Sequence, residues 1–471
     1  MSRLLIDGLW VDGDAGTQQL RAKYDDHIYG EMAIASAQQV DHAVEGAVRA
    51  VTGGAVSPYD MYRILLETSR IVESRTRQFV DLLKDEAGFT KADGENEVAR
   101  CVQTLQLSAE EAKHLNGKLI PMQAAKGSAN RLGYTVRVPR GVVCAITPFN
   151  SPLNTLTHKV GPALAAGNAA LIKPSDLTPL AAVELCKSLL DAGLPPSRVT
   201  LVNGPGGTIG QQLLEDPRIN FYAFTGSTRV GKEIQKQAGL RGTQLELGSI
   251  ASTIVCHDAD VDLAIPKILN AGFRKAGQVC TSVQRLYVDR RLAPTFIPKI
   301  VAAARRMKAG DPSDDTVVIG PMISTGAADR AHAWIEQAVA QGAEILTGGT
   351  RTGNVIEPTI LANIQKTMKV YCEEIFAPVL SIIEFDSLDE AIASANDTQY
   401  GLAAGLFTKD LSQAIRTAQR LAFGGVHINE ASSARVDVMP FGGVKDSGFG
   451  REGPAFAVQE MTEERLITVS Y

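Results

Sequence analysis

The sequence predicts an α/β protein of two domains with some peripheral β structure. Three observations lead there. Strand and helix patterns alternate almost throughout the 471 residues, the order that buries a parallel sheet between layers of helix. Several short apolar runs rich in β-branched residues end in turn signals, as fully buried parallel strands do. Hydrophobic residues make up 45% and charged ones 21%, the balance of an ordinary globular chain. At roughly 150 residues per domain this length predicts about three domains or two large ones. Such a chain buries enough apolar surface to need no disulfides or structural metal.

Taken in order, residues 60–92 repeat apolar positions at three- and four-residue spacing and read as one amphipathic helix or two. Residues 137–150 (RVPRGVVCAITPFN) read as a buried strand ended by a turn. A helix follows through 159–166, stopped by Gly167 and Asn168, and then the strand AALIKPS. Another helix over 181–192 leads to the strand VTLVNGP; the strand NFYAF and the loop TGS then open a helix at Thr228. A second alternation runs from about Ile254 to His427, its elements marked by 271–288, 317–323, Ile345, 379–385 and 424–428. The terminal RLITVSY is a strand pattern with no evident partner in either half.

Composition narrows the function classes. Forty-seven Lys and Arg against 52 Asp and Glu give a net charge of −5, with no block of like charge to serve nucleic acid or anionic lipid. The start, MSRLLIDGLWVDG, meets Asp7 before a signal-peptide core develops, and no apolar stretch approaches ~20 residues. Six cysteines lie far apart, with no CxxC pair and no zinc-spaced cluster. A cytoplasmic protein with free thiols and no metal is expected.

Four stretches carry chemistry. Cys280, in FRKAGQVCTSVQR, lies between a small-residue helix end (Ala276, Gly277) and a strand, a setting that can hold a reactive thiolate and equally a small buried hydrophobe. Glu246, in QLELGSIAS, sits between leucines at a strand end. Burial there would raise its pKa toward general-base duty, whereas the plainer reading is a carboxylate on the wet side of a half-buried strand. Asn150, in ITPFNSPLNTLTHK, follows a strand and a turn, either as a turn residue or as an amide aimed at an oxyanion, a donor worth ~3 kcal/mol. Gly226 and Ser227 open a helix after a strand, where N–H groups could meet a pyrophosphate. Lys173 and Asp176, in ALIKPSD, end a parallel strand, where open sheets bind ligands.

In combination the stretches TPFN, KPSD with TP, FTGSTRVG, LELGS, GQVC, EEIFAPV and PFGGVKDSGFGRE resemble the aldehyde dehydrogenase superfamily, in its order and nearly end to end. The resemblance implies a Rossmann-like coenzyme domain (1–118 and 140–248), an α/β catalytic domain (249–447), and a β oligomerisation arm with C-terminal tail (119–139 and 448–471). In a homodimer or homotetramer the terminal strand would pair with a neighbouring subunit's sheet. By resemblance Cys280 is the nucleophile, Glu246 the general base and Asn150 the oxyanion amide, acting with the Cys280 N–H. Lys173 and Asp176 would hold the adenosine ribose, Gly226 and Ser227 the pyrophosphate side, and Val230 would lie near the adenine. Glu374 and Phe376 would serve the nicotinamide ribose and ring.

The implied reaction is oxidation of an aldehyde through a thiohemiacetal and a thioester, the latter hydrolysed by Glu246-activated water. Departures from the family pattern are Ser249 and Ala377 in place of glycines, Phe149 in place of Trp, and Asp176 in place of Glu. A carboxylate at 176 repels a 2′-phosphate, so NAD is expected, with NADP as the alternative.

The substrate is expected to be small and polar or anionic. Ser151, Thr155 and His158 recur at i, i+4, i+7, and Arg100 and Arg435 stand in contexts like those of the lactaldehyde and phosphonoacetaldehyde dehydrogenase branch. Guanidinium geometry suits an anionic end. Val279 replaces the further Arg of phosphonate-oxidising members, which favours lactaldehyde, a semialdehyde or a sulfonated aldehyde over phosphonoacetaldehyde. The competing class is a non-redox thiol esterase or hydrolase using Cys280 and Glu246, for which the coenzyme stretches would have no use.

Overall fold

The computed structural model describes residues 3–127 and 130–471. Five parallel strands form the centre of a first sheet, in the order Val199–Leu201, Ala169–Lys173, Val142–Ile146, Phe221–Thr225 and Gly242–Glu246. Antiparallel strands close its edges, Leu4–Ile6 with Leu9–Val11 on one side and Gly448–Phe449 on the other. The central runs are apolar on both faces because both are covered. Ala170 and Ile172 face a core that includes Leu105 and Leu156, while Ala169 and Leu171 face Val40, Val44 and Ala47 of the helix Ala37–Thr52.

Two readings sharpen here. The helical pattern of 60–92 is two helices, Pro58–Ser74 and Thr76–Ala87, broken at Arg75. The single strand expected over 137–150 is the end of one strand, Arg131–Pro139, and the whole of another, Val142–Ile146. The break falls at Gly141, whose φ is +131°. A Cβ there would lie 2.2 Å from Asn220 Oδ1, the atom that accepts the Val142 N–H at 2.8 Å.

The second sheet runs Glu344–Thr347, Thr359–Ala362, Val379–Phe385, Val283–Asp289, Ala251–Val255, Ala403–Phe407 and Gly425–Ile428, parallel except at the first pair. The pattern at 317–323 forms no strand, only one bridge between Ile319 and Ala309. That at 271–288 is the end of the helix Val261–Phe273, a tight turn Arg274–Gly277, and the strand Val283–Asp289. Cys280 lies in the irregular stretch between them.

The terminal strand, without an evident partner in the sequence, has one within the chain: Thr462–Ser470 pairs antiparallel along all of Arg131–Pro139 and forms an edge of its sheet. Separation in sequence hid the match. Leu119–Ile120 completes this third sheet; residues 128 and 129 of the expected arm lie outside the described residues, as do 1 and 2 of the expected coenzyme domain. Residues 448–461, grouped with the tail by sequence, side with the first sheet: Gly448–Phe449 joins it, and Ala457, Val458 and Met461 enter its core. Among the described residues, no helix is long and apolar enough to cross a membrane, and no cluster of acidic, His and Cys side chains could hold a metal ion.

Gly141→Ala should therefore cost roughly 1–3 kcal/mol, read as a fall in the thermal unfolding midpoint. An unchanged midpoint would show that the turn relaxes freely.

Candidate active site

Only residues 247–250 separate Gly242–Glu246 of the first sheet from Ala251–Val255 of the second. The C-terminal ends of one set of parallel strands therefore face the N-terminal starts of the other. Asn150, Lys173, Gly226 and Glu246 follow or end strands on the first wall; Cys280, Glu374 and Phe376 precede strands on the second. The sequence candidates for nucleophile, base and amide thus meet in one cleft.

Glu246 is 5% exposed and lies beside the Cys280 thiol, its Oε1 buried without a hydrogen-bond partner among the described residues. Burial, then the charge of Glu452, raises the Glu246 pKa to about 7 against the pull of Cys280, Lys159 and Arg435. Burial and the Glu246 carboxylate push the thiol well above its ordinary value. The resting pair is a protonated thiol beside a base poised near neutrality.

Asn150 is fixed by its own amide, which donates to the Gln278 carbonyl at 2.8 Å and keeps its second N–H free for another acceptor. Sequence reading missed what holds this loop. Lys275, 5% exposed, pairs with Glu97 at 2.7 Å and donates to the Asn150 carbonyl at 3.1 Å. Glu97 also accepts from Ser151 Oγ at 2.7 Å and Asn154 N at 2.8 Å. Burial alone would raise its pKa, but Lys275 and these donors hold it below the usual value. The backbone at Lys275 and Ala276 is left-handed, φ 52° and 54°, a conformation that non-glycine residues hold only under constraint. Gly277 continues it at φ +68°, and a Cβ there would strike the Ala377 carbonyl at 2.2 Å. The one available signal was two cations directly before a small-residue turn and a cysteine.

The coenzyme candidates on the first sheet follow its parallel strands, and Glu374 and Phe376 precede a strand of the second. Lys173 Nζ bonds Asp176 at 2.8 Å and the Pro174 carbonyl at 3.0 Å. Ser227 caps the helix Thr228–Ala238 through Val230 N, leaving other first-turn N–H groups to an anion. Glu374 accepts from Ser249 N at 2.9 Å, and burial, against that bond, raises its pKa to about 7. A Cβ on Gly248 would lie 2.9 Å from its other oxygen, so glycine keeps that carboxylate open. Phe376 packs edge-on to Phe149, ring centres 5.9 Å apart. Carboxylate acceptors at Asp176 and Glu374 and a helix N-terminus at Ser227 are donor and acceptor types that suit the ribose hydroxyls and pyrophosphate of a dinucleotide.

The substrate candidates divide. Ser151 precedes the helix Asn154–Ala165 and serves Glu97, so the face expected at 151, 155 and 158 is not continuous. Arg100 and His158 do not face the cleft as free groups; both bond Asp437, Arg100 at 2.6 and 3.1 Å and His158 at 2.8 Å. His158 has no exposed surface, and burial with the Arg435 charge lowers its pKa. Arg435 bonds Glu452 at 2.9 Å, and its Nε is buried without an acceptor among the described residues. Glu452 also holds Lys159 at 2.8 Å, another pair sequence reading missed. Arg274, unnoticed in the sequence, donates to Ser433 Oγ at 2.6 Å. It bonds no carboxylate among the described residues and lies within electrostatic range of Cys280.

The profile of the aldehyde dehydrogenase family matches residues 10–467. The chain belongs to that family. The dehydrogenase is 44% identical to a 3-sulfolactaldehyde dehydrogenase of Priestia aryabhattai over 467 residues, 98% of each chain. It is 34% identical to a lactaldehyde dehydrogenase of Methanococcus aeolicus over 472 residues, 99% of this chain and 100% of that one. It superposes on the NADP-dependent glyceraldehyde-3-phosphate dehydrogenase of Bacillus halodurans C-125, solved with NADP, at a TM-score of 0.97 and 33% identity, covering 100% and 99% of the two chains. The expected aldehyde dehydrogenase fold and NAD(P)-dependent aldehyde oxidation hold, and the esterase reading gives way.

Glu246→Gln should lower acid production ~10²–10⁴-fold. In the unsubstituted enzyme kcat/KM should climb as pH rises through about 7, because the raised pKa keeps the base protonated below it; the variant should lose that limb. A limb that survives would assign it elsewhere. Lys275→Met strands a buried carboxylate and should cost ~3–5 kcal/mol. Adding Glu97→Leu should restore the unfolding midpoint without restoring kcat, separating packing from loop geometry.

Proposed function

We propose that the dehydrogenase oxidises a short aldehyde bearing one anionic group to its carboxylic acid, with a sulfonated aldehyde such as 3-sulfolactaldehyde ahead of lactaldehyde. The observation that carries this is a pair of underused guanidiniums near the nucleophile. Arg274 has no carboxylate partner among the described residues, and Arg435 keeps a buried N–H without an acceptor. A buried guanidinium N–H without an acceptor is costly, and an anion supplied by substrate relieves it through charge-assisted hydrogen bonds. The 3-sulfolactaldehyde dehydrogenase relative supports the same class.

The chemistry follows from the cleft. Glu246 takes the Cys280 proton, and the sulfur forms a bond to the carbonyl carbon while the carbonyl electron pair moves onto oxygen. The free Asn150 N–H and the Cys280 backbone N–H stabilise that oxyanion. A nicotinamide coenzyme held by Glu374 and Phe376 would supply the acceptor for the carbon's hydrogen and its electron pair. The oxyanion then reforms its double bond as a thioester on Cys280. Glu246 next removes a proton from water as the water oxygen attacks, and the carbon–sulfur bond breaks to release acid and thiolate. Buried placement near pH 7 suits one carboxyl to both proton transfers.

Lys173, Asp176, Gly226, Ser227, Val230, Glu374 and Phe376 form the coenzyme's seat in this reading. Asp176 favours NAD, because its charge opposes a 2′-phosphate while its oxygens accept from a free hydroxyl. A cytoplasmic homo-oligomer is the assembly we favour, supported by the exposed Leu466 and Val469 on the terminal strand.

Arg274→Leu and Arg435→Leu should each raise KM for succinate semialdehyde ~10–100-fold, the worth of one charge-assisted bond, while changing KM for propanal far less. Equal effects on both aldehydes would remove the anion from the proposal.

A further inference from the structure

Asp437 is 1% exposed and lies at the centre of a dense set of donors. Arg100 grips both its oxygens, at 2.6 and 3.1 Å; His158 Nε2 lies 2.8 Å away and Asn154 Nδ2 at 3.2 Å. Thr104 ties the set together through Asn154 Oδ1 at 2.9 Å. Burial would push this carboxyl up, but His158 and Arg100 hold it below the usual carboxylate range, so it is ionised. The segment carrying it is the one that carries Arg435 and Ser433, and Ser433 receives Arg274. Three arginines therefore converge on one stretch of chain, but only two are underused.

We propose that Asp437 sets the charge of the substrate the site accepts: by occupying Arg100 it reserves the pocket for a single negative charge and rejects doubly charged aldehydes. This rests on the anionic-aldehyde reading above. Glu97 and Glu452 also act on Arg100, and Asp93 and Glu97 on Arg274, but through space; the carboxylate that bonds the Arg100 guanidinium is Asp437. Glu452 is shared between Lys159 and Arg435, and Glu97 is committed to Lys275. Asp93 accepts from Thr90 Oγ1 and Lys275 N. His158, neutral by burial, adds no positive charge. Removing the Asp437 charge would therefore add one positive unit at Arg100, whose guanidinium could then take two oxygens of an incoming anion in the bidentate geometry it now gives Asp437.

Asp437→Asn keeps the shape and an acceptor for His158. The test compares kcat/KM for phosphonoacetaldehyde, doubly charged at pH 8, with that for succinate semialdehyde, and both with propanal. The variant should raise the phosphonoacetaldehyde to succinate semialdehyde ratio about tenfold, the scale of one charge-assisted bond. Arg100→Met in the same background should return the ratio to its original value. A ratio that does not move, or a gain that survives loss of Arg100, overturns the inference. If Asp437→Asn does not fold, Arg100→Met alone reads the same balance. An unneutralised Asp437 should then depress phosphonoacetaldehyde turnover more than succinate semialdehyde turnover, and equal losses overturn the inference. An unsubstituted enzyme that treats succinate semialdehyde and propanal alike would instead sink the anionic-aldehyde reading itself.

Discussion

Everything in the cleft depends on keeping one carboxyl group dry yet able to ionise. Glu246 ends a strand whose neighbours are apolar, and its tendency to stay protonated, strengthened by burial and by Glu452, is opposed by the charges of Lys159 and Arg435. Charges buried this way are individually expensive. They persist because each has a partner or a use, and the same balance sets the proton affinity of the base and the thiol it faces.

Two separate ionic knots support the two walls of the cleft. Glu97 and Lys275 hold the Asn150 loop and the left-handed turn before Cys280 in one geometry. Glu452, Lys159 and Arg435 shape the field around the base. Both draw members from distant helices and loops, so neither can shift without disturbing the packing of the first sheet. That rigidity places the amide, the thiol and the carboxyl in register before substrate arrives, the condition under which electrostatic catalysis is strongest.

Much of this was legible in the sequence. The alternation of patterns located the strands of both sheets because buried parallel strands are apolar throughout, and the stretches around Cys280, Glu246 and Asn150 were legible as candidates because each stands at a strand end or beside one. What stayed hidden was pairing across the chain. Arg100 and Asp437 are 337 positions apart, and no local pattern announces that one cancels the other. The terminal strand hid its partner for the same reason. The run at 317–323 misled in the opposite way: apolar β-branched residues bury well in irregular backbone too, so composition alone could not tell a strand from a packed loop.

Glu452 follows every other member of the site along the chain, and the edge strand Gly448–Phe449 just before it seals the first sheet beside Glu246. Without this segment the first sheet loses an edge, and Lys159 and Arg435 lose their shared counter-ion. The edge of the first sheet and the counter-ion beside its base thus come from one short stretch of chain, so architecture and electrostatics there cannot be altered separately.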